Sequence, residues 1–362
     1  MAGAKSATDV ISPAFERTKR QLLSPFRMGT WARLAVIAIL SGEMGSGGWN
    51  NAANFNLPSS GKPGDKLGLA AFPPGIDELM KYLPYILIGV VAAMCLGAVL
   101  LYVQSVFRFV LFDAVLRGRC GIREGWRRWR DAGSNLFLWQ MGFELVMLTV
   151  TAVVFGLPAL WVWRTKIYEH AEENIGLLIL LGLLAVTVFA VLVVAAMLVD
   201  LAARDFVVPV MAMENVRVME GWRRVLPMLG AEKGAYAFYV VMKIALSLGI
   251  GILLGIAATV VVLALLIPVG MAAAAVVVAA AAAGLSWNVY TIGAAIAAGA
   301  AGIVGMMYLM AFVYAPGMVF FQAYTLEFLG ARYARLGAEL APPAPPAQEP
   351  SDGGALPAPG TA

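Results

Sequence analysis

The pentapeptide EGWRR stands at Glu124-Gly125-Trp126-Arg127-Arg128 and again, 96 residues on, at Glu220-Gly221-Trp222-Arg223-Arg224. Its surroundings recur with it: Ile122, Trp126 and Trp129 in the first copy correspond to Val218, Trp222 and Val225 in the second. A spacing of four then three residues puts these side chains on one face of a helix. Arg123, Arg127, Arg128 and Arg130 fall on the opposite side of the first copy, and Arg223 and Arg224 on that of the second. Glu124 to Arg128 and Glu220 to Arg224 are acid-to-base pairs four residues apart, each worth about 0.2–0.5 kcal/mol to a helix. Each copy therefore predicts a short amphipathic helix.

Composition says what such helices lie against. The 362 residues are 61% hydrophobic and 13% charged, against roughly 25% charged in a soluble globular chain, and the mean hydropathy is +0.80. Five apolar stretches, 82–104, 136–163, 175–199, 236–267 and 292–319, reach the roughly 20 residues that a helix needs to cross a bilayer. None shows the two-residue alternation of a barrel strand. Leu34–Leu40 is too short by itself, but a Gly-extended helix from about Gly29 to Gly45 gives a sixth span. A cleaved signal peptide is not expected there, because the lead-in is long and no Ala-x-Ala site follows.

A fainter copy precedes that first span: Ile11, Ala14, Phe15 and Arg17 keep the order of Ile122, Gly125, Trp126 and Arg128, with Ser12-Pro13 as a helix-starting pair. The expected fold is thus an all-α integral membrane protein. Six transmembrane helices form three parallel repeats, at about 11–118, 119–215 and 216–330, each an interfacial amphipathic helix followed by a transmembrane hairpin. Residues 1–10 and the Pro/Ala-rich tail 336–362, with its run from Ala341, are expected to be disordered. Met271–Gly284, apolar but only 14 residues long, is expected as a short external or re-entrant helix.

With six spans, 21 of the 26 Lys and Arg residues fall on one side, together with both termini. Basic residues mark the cytoplasmic side. Small residues recur every four positions at Gly89, Ala93 and Gly97, at Gly251 and Gly255, and at Gly293, Ala297, Ala301 and Gly305, a spacing that lets helix backbones approach in lipid.

The stretches AFERTKRQLLSPFRMGTWARLAV (14–36) and DFVVPVMAMENVRVMEGWRRVLPML (205–229) resemble prokaryotic multipass membrane proteins of unknown function related to the membrane domain of glycerophosphoryl diester phosphodiesterases. The similarity spans about residues 12–335. It implies the architecture and a bacterial or archaeal cytoplasmic membrane, but no phosphodiester chemistry, since the single histidine and the absence of a His-Glu pair leave no catalytic barrel.

No HExxH, GxSxG or phosphate-cradling Gly-x4-Gly-Lys-Ser/Thr occurs, so no enzyme activity, cofactor or metal is expected. His170, with Glu169, Glu172 and Glu173 nearby, reads as a solvated loop, and the Gly-rich segment 41–65 as a flexible one. Cys95 and Cys120 make no disulfide framework.

Two groups of residues carry what functional signal there is. Trp126, Arg127, Arg128, Trp222, Arg223 and Arg224 are candidate contacts for lipid headgroups, tryptophan setting depth and arginine holding phosphate. Arg33, Glu144 and Lys243 fall inside the first helices of the three hairpins at comparable depth, with Gln140 nearby and Asp200 toward the cytoplasmic rim, where charge is costly and usually paired. They are a candidate intramembrane cluster. The expected function is a non-catalytic protein that binds or organises anionic lipid or scaffolds a membrane partner, with membrane lipids as partners and no nucleic acid. The alternative is a transporter or flippase-like protein for a small anionic or lipid substrate.

Overall fold

Every long apolar stretch of the sequence lies within a single helix, as it must where no water is present to satisfy the backbone. A computed structural model describes residues 5–23, 27–42, 76–167, 174–284 and 288–340. Among them are nine helices and no strand. They are α1 (Ile11–Leu23), α2 (Met28–Leu40), α3 (Ile76–Arg117), α4 (Ile122–Thr165), α5 (Ile175–Glu214), α6 (Val218–Ala231), α7 (Lys233–Ala282), α8 (Val289–Gly330) and α9 (Ala334–Leu340).

Five of these, α3, α4, α5, α7 and α8, are long and apolar enough to cross a membrane, and the chain is a multipass membrane protein. Their length has a consequence. The 50 residues of α7 rise about 75 Å at 1.5 Å per residue, against roughly 30 Å for the hydrocarbon core, so each long helix has a part that spans and a part that does not.

Packing separates the two parts. Val106–Val115 of α3, Trp129 and Leu136 of α4, Ala202–Ala212 of α5, Tyr236 and Tyr239 of α7 and Val319–Leu329 of α8 bury side chains in one core, joined by Val10 and Ala14 from the N-terminal end and Leu34 and Ile37 from α2. In contrast, Leu96 on α3, Leu145 on α4, Val191 on α5, Leu253 on α7 and Val304 on α8 are exposed, as suits a surface covered by lipid tails. We call these the packed end and the far end. Aromatic rings knit the packed end: Phe328 lies 4.4 Å from Tyr239 and 5.5 Å from Tyr236, centroid to centroid, and Phe206 lies 5.1 Å from Tyr236. Both described termini join it. Tyr324 donates a hydrogen bond to the Ala7 carbonyl, and Arg332 to that of Lys5.

Turn chemistry repeats at the two packed-end connections that come after α3 and α5. Gly118 (φ 69°) and Asn215 (φ 52°) take left-handed conformations just past α3 and α5, the position where a helix is stopped and its last carbonyls are turned back. At the far end, Asn288 caps α8, its side chain accepting from the Tyr290 and Thr291 amides at 3.0 and 2.9 Å while Thr291 Oγ1 accepts from the Asn288 amide. That reciprocal box satisfies donors a helix start leaves unpaired.

Several expectations are corrected. The first EGWRR is no separate interfacial helix: residues 122–134 are the opening turns of α4 and run into its apolar part without a break. The second copy does form its own helix, α6, as does the fainter copy in α1. The first span is reduced to α2, 13 residues long, and the remainder of its expected range, from residue 43, lies outside the described residues. Met271–Gly284 is not a separate external or re-entrant helix, because α7 passes Pro268 and continues to Ala282; apolar alanine-rich sequence keeps a helix going. Order also extends further at each terminus than expected. Ala7 and Val10 are buried, and α9 runs to Leu340 with Leu336 fully buried. The tail from 341, His170 with its acidic neighbours, and nearly all of the 41–65 segment fall outside the described residues.

Candidate functional site

The amphipathic segments turn their repeated spacing to the same use three times. Arg17 of α1, Arg128 of α4 and Arg224 of α6 occupy the same place in the pattern that begins at Ile11, Ile122 and Val218. Arg128 pairs with Asp113 near the end of α3 at 3.6 Å, and Arg224 pairs with Glu214 at the end of α5. Arg17 pairs with Glu327 near the end of α8 at 3.0 Å. The small residue of the pattern permits the approach. A Cβ on Gly125 would stand 2.8 Å from Val110 Cγ1, and one on Gly221 2.9 Å from Val207 Cγ1, while Ala14 is fully buried. In the same way α1 packs on α8, α4 on α3 and α6 on α5.

The aromatic of the pattern points inward at both EGWRR copies. Trp126 packs edge-on to Tyr102 at 5.6 Å and beside Phe107 at 5.7 Å, and Trp222 lies 5.6 Å from Trp139. Of the six candidate headgroup contacts, two therefore lie against the core and two pair with acids of a neighbouring helix. Arg127 and Arg223 remain exposed. Arg223 reaches Glu220 of its own helix, at 3.3 Å, with its side chain 81% exposed. Arg119 and Arg123, in the same stretch as Arg127, are exposed as well.

The five residues of the intramembrane group are not brought together. Lys243 Nζ donates to Asp205 Oδ2 at 2.5 Å, Asp200 pairs with Arg204 one turn on, and the Gln140 amide oxygen accepts from Ser105 Oγ at 2.7 Å. Glu144 and Arg33 are exposed. Glu144 lies one turn beyond Gln140, among exposed Met141, Leu145 and Leu148.

Sequence reasoning missed a buried polar centre. Tyr239, fully buried, donates from Oη to Asp205 Oδ2 at 2.9 Å and, its proton so used, accepts from Thr325 Oγ1 at 2.7 Å. Asp205 thus joins α5 to α7 through two bonds, and Thr325 ties in α8. A buried carboxylate is tolerated here because a cation and a hydroxyl both serve the same oxygen.

Asp205 sits in a π-helical turn, Ala203–Val207, which accommodates one extra residue in a helix. The equivalent passage of α3 has no such turn. Arg108-Phe109 of α3 corresponds to Arg204-Asp205-Phe206 of α5, with the aspartate inserted. The connection then recovers the register, four residues separating α3 from α4 and three separating α5 from α6. That insertion was the available signal, hidden because both EGWRR copies keep the 96-residue offset.

Cys120, in the α3–α4 connection, is half-buried. Burial raises its thiol pKa above the ordinary value, and the charge of Arg33 opposes the rise. Among the described residues no group of three or more His, Cys, Asp or Glu side chains could hold a metal ion.

No curated protein and no solved structure matches the chain. A family does: residues 5–338 match the family of unknown function DUF7544, a range that takes in the Arg17, Arg128 and Arg224 ion pairs and the Asp205 centre, and the chain belongs to that family.

Proposed function

We propose that this protein is a non-catalytic component of a prokaryotic cytoplasmic membrane, its packed end and both termini in the cytoplasm, that binds anionic lipid headgroups through arginines displayed around that end. The observation that carries this is the division of labour within EGWRR. Tryptophan and the second arginine serve the protein's own packing, whereas Arg127 and Arg223 are exposed, as are Arg119 and Arg123 in the stretch before the first. A basic side chain near an anionic leaflet gains on the order of 1 kcal/mol, and four exposed arginines with no built-in need for each other are suited to that surface.

The same reading takes the chain as three parallel units, each starting on the cytoplasmic side, with the first crossing begun by α2. The pairs Arg17–Glu327, Arg128–Asp113 and Arg224–Glu214 support it. Kinship with the membrane domain associated with glycerophosphoryl diester phosphodiesterases belongs to this proposal too, and would contribute architecture without catalysis. The transporter alternative draws on one feature, the π-helical turn with its Asp205–Lys243 pair, a type of irregularity found at functional sites.

The test replaces Arg123, Arg127 and Arg223 together by glutamine. Phosphatidylglycerol co-purifying with the protein should fall while the thermal midpoint in detergent stays the same. Unchanged bound lipid in folded, correctly oriented protein would end the headgroup proposal and leave these arginines an orientation signal.

A further inference from the structure

The C-terminal helix α9 packs on the end of α8, a Cβ on Gly337 falling 2.6 Å from the Gly330 carbonyl oxygen, and Leu340 lies against the core. It contributes one fully buried side chain, Leu336, and its seven residues are too few for a helix to hold its shape without a surface to lie on. Its polar contacts are concentrated on cations of other helices. Glu339 receives both outer donors of Arg117, Nε at 3.2 Å and Nη2 at 2.9 Å, and the Leu340 carbonyl receives Arg17 Nη2 at 3.3 Å.

Arg117 uses its two sides differently. Nη1 is held by Asp113 at 3.1 Å, which fixes the guanidinium, and the Nε–Nη2 fork is given to Glu339. That fork is the one that grips carboxylate or phosphate in two parallel bonds. Arg17 is fixed in the same manner, with Nε on Glu327 and Nη2 on Leu340. Two arginines, each oriented by an acid of a long helix, thus present their remaining donors to the last two residues of α9.

We propose that Arg117 and Arg17 form a phosphate-binding site, and that the carboxylate of Glu339 and the carbonyl of Leu340 occupy it as a built-in competitor. The Glu339 carboxylate stands in for two oxygens of a phosphate. The site rests on the anion-binding reading of the packed end but uses different arginines, both held in ion pairs and less exposed than Arg223. When α9 lifts, the fork of Arg117 and the free donor of Arg17 are exposed at once, so headgroup phosphate and α9 exclude each other.

The experiment uses the full chain in detergent, titrated with short-chain phosphatidic acid and separately with inorganic phosphate. Glu339→Gln removes the competing charge with little change of shape and should tighten phosphatidic acid binding by about three- to fivefold, the scale of one exposed charge pair. Arg117→Lys, which keeps the charge and loses the fork, should cancel that gain in the double variant. The same tightening with inorganic phosphate would support the site and assign it to the free ion; tightening with the lipid alone would support it and assign it to headgroups. Unchanged affinity for both ligands in Glu339→Gln overturns the proposal. The Arg123, Arg127 and Arg223 triple substitution separates the two readings: loss of co-purifying lipid there, with no effect of Glu339→Gln, retains the outer surface and eliminates the inner site, and the converse result does the opposite.

Discussion

Asp205 Oδ2 lies 2.5 Å from Lys243 Nζ, and Asp205 is the residue by which the helical passage after Arg204 exceeds its counterpart after Arg108. One inserted residue in α5 thereby brings a carboxylate to face the lysine of α7, at the centre of a buried network that also holds Tyr239 and Thr325. The side chains of the pair are 10% and 19% exposed, so solvent screens it little.

Asp205→Ala should cost about 3–5 kcal/mol, because it leaves the Lys243 charge and the Tyr239 hydroxyl without their acceptor. Replacing both members, as Asp205→Leu with Lys243→Met, should cost less than that single change. Thermal or denaturant midpoints in detergent decide the matter, and a double variant less stable than Asp205→Ala would contradict this account.

Glu144 and Lys243 should behave independently. Lys243 is committed to Asp205 and Glu144 is exposed, so the effects of Glu144→Gln and Lys243→Met should add within about 0.5 kcal/mol. A double-mutant cycle with a coupling well above that would require a contact that this structure does not contain.

Glycines of α4 should tolerate alanine unequally. A Cβ at Gly133 would come 2.5 Å from Val106 Cγ2 and 2.7 Å from Val106 Cα; the latter is backbone and cannot swing aside. Gly133→Ala should therefore destabilise by about 1–3 kcal/mol. Gly142 on the same helix has nothing within 4 Å, and Gly142→Ala should change stability by less than about 1 kcal/mol. Equal midpoints for the two variants would refute the difference.

Truncation should divide sharply at α9. Removing residues 341–362 should leave assembly unchanged, whereas ending the chain at Tyr333 strips Leu336 from its buried place and Glu339 from Arg117, and should lower the thermal midpoint. Size-exclusion profiles and melting curves of both truncations check this, and equal behaviour would mean that α9 contributes nothing to stability.

Cys120 should react slowly with maleimide near neutral pH in a Cys95→Ser background. Its pKa is raised by burial, so the reactive thiolate forms only at a higher pH than for a free cysteine, and the rate should climb across the alkaline range. Arg33 opposes the rise; Arg33→Gln should shift the profile further upward. A profile equal to that of a free thiol would contradict the burial.

Much of the fold was legible because it depends on composition along one dimension. Each apolar stretch of 20 or more residues became part of one helix, and the spacing Ile122, Trp126, Trp129 did describe an inward face, with Trp129 and Val225 buried. Where a helix breaks was harder to read. Nothing in the residues around Ser134 and Asn135 distinguishes an interfacial helix ending there from one that continues as α4. The difference lies in the contact with α3, where Gly125 and Gly133 let the two helices lie side by side along this whole stretch. At α6 the chain instead turns at Glu232.

The candidate site was legible in its arginines and not in its acids. Matching Arg17, Arg128 and Arg224 was a matter of counting along the pattern, but their partners Glu327, Asp113 and Glu214 lie at different distances from the ends of their helices and share no motif.

By itself the sequence determined a helical multipass membrane protein, the location of its apolar stretches and the doubled EGWRR, because hydrophobicity and residue spacing act locally. Which charges meet was decided only by tertiary structure. Counting residues from a repeated motif gives height along a helix and nothing about direction around it, so Arg33, Glu144 and Lys243 could share a depth without sharing a face. In α5 the direction is set by the π-helical turn at Ala203–Val207: one additional residue rotates the rest of the helix by roughly 100° at 3.6 residues per turn unless a wider turn absorbs it. That local widening keeps Phe206 and Val207 in the core, fully buried or nearly so, while it turns Asp205 toward Tyr239 and Lys243.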